Sequence, residues 1–393
     1  MKILAVDIGT GTQDIIQLDT AGPVENSPKL VMPSATTIAA GRIRHATAAK
    51  SRVILTGVIQ GGGPCAWALE DHLRAGLAAF ATPEAATTFD DDLDAVAAMG
   101  VTFVSEDEAR RAGGEQVVLR DLDLAAIRAA LRAFDVDPEF DGFAVGCLDH
   151  GASPPGYSDR LFRFDHLRRV VAGDNDLLAF AYLPSEVPEY LTRARAVLRC
   201  IDVDAPTVFL DTGPAAALGA LQDPTVAAEA EALVLNLGNM HALAFHLEGT
   251  RVVSLYEHHT GEMTDAMIED FTRRLLSGSL LHQEVFESKG HGAFYAGQAP
   301  PEPHDDIPSP SSERVRVRGE TVTAANLPAS DRNPGPLLAV TGPQRARLRR
   351  TGLNAYFAAP HGDMMLSGAF GMLQAFAHRH PQYAAEIERT LLG

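Results

Sequence analysis

MKILAVDIGTGTQDIIQL, residues Met1 to Leu18, decides the fold. Ile3, Leu4, Ala5 and Val6 form an apolar run with little polar surface, which reads as a buried strand ending on Asp7. Gly9-Thr10-Gly11-Thr12 makes a tight turn, and Gln13 to Leu18 is apolar enough to return as a second strand. Gly9 and Gly11 let backbone N–H groups approach an anion closely, and Thr10 and Thr12 add hydroxyl donors. Asp7, where strand meets turn, is placed to hold a hydrated divalent cation. Together these residues suit a magnesium-phosphate group. The alternative is an ordinary hairpin with a glycine-containing turn, but the Asp and two Thr are more than a turn needs.

The chain has 393 residues, which favours two or three domains, and 46% hydrophobic residues, which allows substantial cores. A formal net charge of −18 argues against a general nucleic-acid binder. Cys65, Cys147 and Cys200 are isolated, so neither a disulfide framework nor a cysteine-rich cluster site is visible. A strand beginning at residue 2 leaves no room for a cleavable signal. No apolar run reaches membrane-spanning length. The expectation is a soluble cytoplasmic protein with no nucleic-acid or membrane partner.

Outward from the opening hairpin, strands are expected at Lys29 to Pro33, Arg52 to Val58, Val101 to Val104, Gln116 to Leu119 and Phe140 to Cys147. Gln60-Gly61-Gly62-Gly63-Pro64 leads into a helix carrying Trp67, Leu69, Leu73 and Leu77. This is either an anion site at a helix N-terminus or a turn that needs glycines for packing. It lacks Gly-Lys-Ser/Thr and is not a P-loop. Glu106 to Ala112 and Leu124 to Phe134 have helical spacing. Leu148-Asp149-His150-Gly151 stands at the carboxyl end of the 140–147 strand, where α/β sheets place ligands. Asp149 and His150 are therefore candidates for water activation or metal orientation, against an Asx turn in a glycine-containing loop.

Thr207 to Leu210 reads as a strand, and Asp211-Thr212-Gly213-Pro214 opens a small-residue helix that Asp211 or Thr212 would cap. The opening pattern then returns about 230 residues on, as a weak internal repeat. Ala232 to Leu237 is a strand, Gly238-Asn239 a turn and His241 to Leu247 a returning strand, with a third at Val252 to Tyr256. Two such hairpins facing each other would clamp one phosphate chain. His258-His259-Thr260-Gly261-Glu262 invites a metal reading. Adjacent strand residues point opposite ways, however, which favours a polar loop capping a helix at Asp265 to Leu276. Gly290 to Phe294 is expected as a flexible turn, and the Pro-, Ser- and Asp-rich Gly297 to Gly335 as a surface loop. Leu337 to Val340 and Asn354 to Ala358 return to strand. A last helix starts near His361 and contains Ser367-Gly368-Ala369-Phe370-Gly371, small enough to lie against a nucleotide or another helix.

This pattern resembles the actin/Hsp70/sugar-kinase ATPase superfamily, in which two related domains, each with a β-hairpin, enclose a nucleotide. Lys2 to Leu18 is similar to its first phosphate motif and Leu233 to Leu247 to its second. Asp211 to Gly219 resembles the connecting helix, and Leu338 to Pro343 with Leu366 to Leu373 the adenosine segment. Within the superfamily the chain resembles the DUF1786 group, often labelled a pyruvate formate-lyase activating enzyme. A radical activating enzyme needs a three-cysteine cluster motif, which the isolated cysteines do not supply.

The resemblance implies an α/β protein of two actin-like (ribonuclease H-like) domains, 1–225 and 226–393, with an interdomain cleft. It implies ATP and Mg2+ as cofactors. Asp7 would orient the metal and serve catalysis. Gly9, Thr10, Gly11, Thr12 and Gln13 would bind phosphate from one side, and Asn236, Gly238 and Asn239 from the other. Gly342, Gly368 and Ala369 would border the adenosine, and Asp149 would orient or deprotonate the attacking water or hydroxyl. The acceptor would be an unidentified small molecule or protein. Where the superfamily offers an acidic residue and a hydroxyl-rich turn in its second hairpin, this chain offers Asn236, Gly238, Asn239, Met240 and His241. A non-hydrolysing nucleotide- or anion-binding activator is therefore the alternative, with a metal-dependent hydrolase using Asp149, His150 and the His258-His259 region a third.

Overall fold

The structure, a computed structural model, describes residues 1–60, 62–299 and 335–392. Among the described residues it is a mixed α/β protein with three sheets. β1 (Lys2–Ile8), β2 (Thr12–Asp19) and β3 (Lys29–Pro33) form an antiparallel meander. β4 (Val53–Val58), β5 (Ala79–Ala81), β6 (Val101–Phe103) and β7 (Glu115–Arg120) form a separate parallel sheet in the order β6-β5-β4-β7. β8 (Gly142–Cys147) then returns to lie parallel to β1, followed by β9 (Ala181–Tyr182) and β10 (Thr207–Leu210). The third sheet contains β11 (Glu231–Leu237), β12 (His241–Glu248), β13 (Arg251–His259), β14 (Gly292–Tyr295), β15 (Leu337–Thr341) and β16 (Ala355–Phe357).

The two six-stranded sheets share one plan. The first runs β3-β2-β1-β8-β10-β9 and the other β14-β13-β12-β11-β15-β16. In each, a three-stranded meander is followed by two parallel strands beside its first member. Each adds one antiparallel edge strand, but at opposite ends. The repeat extends to register, with Asp7 opposite Asp14 in the first hairpin and Asn236 opposite Leu243 in the second. Both turns close with the same bond, Gly9 N–H to Thr12 O and Gly238 N–H to His241 O, each 2.9 Å. Ile3 to Val6 are fully buried, as the unbroken apolar run requires of a strand covered on both faces.

One apolar core runs through both large sheets, from Ile3, Ala5 and Ile16 to Val234, Phe245 and Ala339. Its centre is the contact between the helices Thr212–Ala220 and Ser367–Arg379. The latter follows the second sheet in the chain but packs on β1, β8 and β10 of the first. The approach is close because Gly219 and Gly371 lack side chains. A Cβ on Gly219 would overlap the backbone of Ser367, and one on Gly371 that of Ala215. Another helix, Pro381–Leu392, follows and brings Glu386 to the amino group of Met1 at 3.2 Å.

Two helices escape the sequence periodicity, and two expectations need correction. Ala35–Ala48 is a helix, capped by Ser34 accepting from Thr37 N–H, although its threonines and Gly41 hide the period. Asp159–Gly173 is also a helix, in a stretch that polar residues made unreadable. The helix after the glycine loop ends at Arg74, before Leu77. Gly290 to Phe294 supplies strand β14 rather than a free turn. The expected 297–335 loop lies, at residues 300–334, outside the described residues. No helix among the described residues is long and apolar enough to cross a membrane.

Packing predicts a contrast between two helical glycines. Gly219→Ala should destabilise by about 1–3 kcal/mol through overpacking. Gly41→Ala, where an added Cβ meets nothing within 4 Å, should be neutral or slightly stabilising. Denaturant midpoints of the two variants check this.

Candidate functional site

Both hairpin turns open onto one cavity of about 1070 Å³. Gly9 and Thr10 line it from the first sheet, and Asn236, Gly238 and Asn239 from the second. The turns touch, since a Cβ on Gly11 would overlap the amide of Asn239. The first turn is braced from behind by Ser34, whose N–H donates to Gly11 O at 3.1 Å and whose hydroxyl donates to Thr10 O at 2.5 Å. The cap of the 35–48 helix is thus also the support of the turn. Gln60, Gly62 and Gly63 form a third wall, with Gly62 and Gly63 at φ of +48° and +64°, a region that favours glycine. Asp90, Asp91, Asp92 and Asp159 give a fourth, acidic face. Arg193 also lines the cavity, but its guanidinium is held by Asp121 at 2.7 Å.

Asp7 stands at the end of β1, just behind the wall. Its Oδ1 accepts from the Thr212 hydroxyl at 2.8 Å. Burial raises its pKa to about 7, the Thr212 hydrogen bond opposes this and nearby Asp211 adds to it. Its register partner Asp14 is pushed further, to about 8, by burial and then by the charge of Asp7. Asp14 Oδ1 has no hydrogen-bond partner among the described residues. Thr12 Oγ donates to the other oxygen at 3.4 Å, and Gln13 donates to Pro33 O at 2.9 Å, so neither side chain reaches the cavity wall.

The three residues expected at the adenosine lie off the cavity wall. A Cβ on Gly368 would overlap the carboxylate of Asp7. Gly342, at φ +88°, lies against Leu237 O and Asn236 Oδ1, and Ala369 is fully buried. None of the three lines the cavity. Asp149 lines the cavity and also holds its own loop. Its Oδ1 accepts from Gly151 N–H at 2.8 Å and its Oδ2 from Ala194 N–H at 2.9 Å. Burial raises its pKa to about 6, opposed by those two amides. This is the Asx-turn alternative: the carboxylate fixes the loop that carries His150.

Behind that loop lies Arg163, on the Asp159–Gly173 helix and 0% exposed. It donates to Asp211 at 2.5 Å, to Glu257 at 3.2 Å and to the carbonyl of Asp149 at 3.1 Å. Burial would lower the pKa of Arg163, but Asp211 and Glu257 raise it instead. Burial would likewise raise that of Glu257, but Arg163, His291 and His241 hold it well below the usual carboxylate range.

Four histidines stand beside Glu257. The rings of His150 and His241 are 5.1 Å apart between centroids, His241 and His291 4.9 Å, and His291 and His259 4.6 Å. Burial, with neighbouring positive groups, lowers His150 to about 3 and His259 to about 4. His258 points away, its Nε2 3.2 Å from Ser288 Oγ, as strand alternation requires. Arg163, Glu257 and His291 were not singled out from sequence. His291 sits in a Gly-His-Gly stretch whose only sequence signal was flexibility.

The family described as "Putative pyruvate format-lyase activating enzyme (DUF1786)" matches residues 60–308. The chain belongs to the DUF1786 family. No curated protein matches it. Among solved structures it is similar to the crystal structure of ROK hexokinase from Thermus thermophilus, at 13% identity and a TM-score of 0.24. That match covers 64% of this chain and 47% of the hexokinase, so the chain spans about half the length of its match. In this DUF1786 chain, Cys65 belongs to one apolar cluster, and Cys147 packs in another with Cys200 at its margin.

Two predictions follow from the buried charges. Arg163→Met removes the partner of two buried carboxylates and should cost about 3–5 kcal/mol, read from denaturant unfolding. Asp14 has a folded pKa above its unfolded one, so its contribution to stability is full below about pH 4 and is lost as pH rises towards 8. Asp14→Asn should therefore raise Tm at pH 8 by several degrees, a gain that shrinks as the pH is lowered to 5.

Proposed function

We propose that this DUF1786 protein is a nucleotide-dependent phosphotransferase or ATPase of the actin/Hsp70/sugar-kinase type. In this reading, actin-like domains at 1–225 and 226–393, the last two helices returning to the first sheet, hold Mg-ATP between them. The observation that carries it is the pair of turns, equal in register and closing bond, that touch at Gly11 and Asn239 and line one cavity with Gly9, Thr10, Gly238 and Asn239. Phosphoryl transfer asks mainly for positioning and charge neutralisation. The amides of the Gly9–Thr10 and Gly238–Asn239 turns supply the first without side-chain charge. Asp7, fixed by Thr212, supplies the carboxylate for a hydrated magnesium ion. The acidic face at Asp90 to Asp92 favours a phosphate already neutralised by magnesium over a bare anion. Asp149, which lines the cavity, would orient or deprotonate the attacking water or hydroxyl through the lone pair that each oxygen keeps beside its amide hydrogen bond.

A second reading, a clamp that binds nucleotide as a signal without hydrolysis, is favoured by Asn236. It occupies the place in the second hairpin that Asp7 holds in the first, and it brings no charge.

Calorimetric titration of the full chain with ATP, ADP and a non-hydrolysable analogue tests both. Mg-dependent micromolar binding that disappears in Asp7→Asn supports the clamp, and phosphate release separates the enzyme from the signal protein. Because Asp7 titrates near 7, it is mostly protonated at pH 6 and ionised at pH 8. Mg-ATP affinity of the wild-type chain should therefore rise by about tenfold across that interval. Unaltered Mg-ATP binding in the variant would remove Asp7 from the site.

A further inference from the structure

Three imidazoles converge on the cavity wall from separate parts of the chain. His150 follows β8 in the first sheet, His241 opens β12 in the second, and His291 precedes β14. Each offers one ring nitrogen, and the three atoms lie within 4.8 Å of one another. His291 is fully buried, and neither of its nitrogens has a hydrogen-bond partner among the described residues. His150 Nε2 is buried and unpartnered in the same way. An unsatisfied buried polar group costs about 1–3 kcal/mol, so native structures rarely keep several together without a ligand. Packing does not explain the arrangement, because an apolar side chain at any of the three positions would avoid that cost.

The donor set defines the ligand class. Three neutral nitrogens suit zinc and its first-row neighbours, whereas magnesium and calcium require oxygen. Tetrahedral coordination at a Zn–N distance of about 2.0–2.1 Å places ligand nitrogens roughly 3.3 Å apart, within reach of small ring rotations here. Three histidines with an open fourth direction is the arrangement of a reactive rather than a closed structural zinc site. His150 and His241 line the cavity, whereas His291 lies behind them, so the open direction faces the cavity. Glu257 Oε1 is 3.3 Å from His241 Nδ1 and is itself gripped by Arg163. His241 Nδ1 makes no hydrogen bond as it stands among the described residues, and a small turn of the ring would let the carboxylate fix which nitrogen carries the proton and leave the other as ligand.

We propose that His150, His241 and His291 form a binding site for one zinc-class divalent transition ion, with its exchangeable position facing the cavity. The site draws residues from both large sheets, so the ion ties them together on the same wall as the paired turns. It does not depend on nucleotide binding, and Asp7 has no part in it.

The test uses tag-free full-length protein. Metal analysis after expression with added zinc should give close to one equivalent. After chelator stripping, Co2+ titration should produce the visible bands of a low-coordinate nitrogen site, displaced stoichiometrically by Zn2+. His150→Ala, on a half-buried loop, should keep its circular dichroism spectrum and lose at least 50-fold in Zn2+ affinity, and His291→Ala should do the same. His258→Ala, on the opposite face of β13, should retain one equivalent. The proposal is overturned if the wild-type chain neither retains zinc nor gives Co2+ bands, or if the His150→Ala,His291→Ala double variant binds as tightly as wild type. Mg-ATP titration of the stripped protein reports on the nucleotide reading separately, so either can fail alone.

Discussion

A single fully buried guanidinium, Arg163, joins the parts on which the site depends. Its partners are Asp211 at the end of the first sheet, Glu257 on β13 of the second, and the carbonyl of Asp149 in the cavity loop. Taking three charges out of water is costly, and their mutual attraction offsets that cost only with good geometry and further hydrogen bonds. Those are present: Asp211 also accepts from Gly213 N–H at 3.0 Å, as cap of the 212–220 helix. Apolar residues of similar volume would hold these elements together about as well. They would not fix Glu257 beside His241 or present the Asp149–His150 loop to the cavity.

Around that centre the chain uses one sheet plan twice. The duplication places two glycine turns in corresponding positions, and the join between the helices Thr212–Ala220 and Ser367–Arg379 brings the halves close. Small residues make that join, because Gly219 and Gly371 let backbone meet backbone where any side chain would separate the helices. The same closeness seats Gly368 against Asp7. Gly368 leaves room for that carboxylate because it has no side chain.

The two halves of the cavity differ in chemistry as well as in origin. The first hairpin carries Asp7 and Asp14, both held towards their neutral forms by burial. The second carries Asn236 and leads into an imidazole group backed by an ionised Glu257. A duplicated framework has thus been given unequal side chains, the usual route from a symmetric fold to a directional site.

What the sequence determined by itself was local. The 1–18 hairpin, its return near 232, the buried strands and the cap at Asp211 were legible because period, glycine placement and capping act within a few residues. The Asp159–Gly173 helix was not, because Arg163, Asp165 and His166 are buried on it and erase the apolar stripe by which helices are read. Nor was the histidine group, whose members come from positions 150, 241, 259 and 291 and meet only when two sheets pack. That Asp149 accepts two amides, and that Gly368 abuts Asp7, is likewise visible only in the tertiary structure. A carboxylate's role depends on which amides reach it, a glycine's on what occupies the space beside it, and neither is a property of neighbours in the chain.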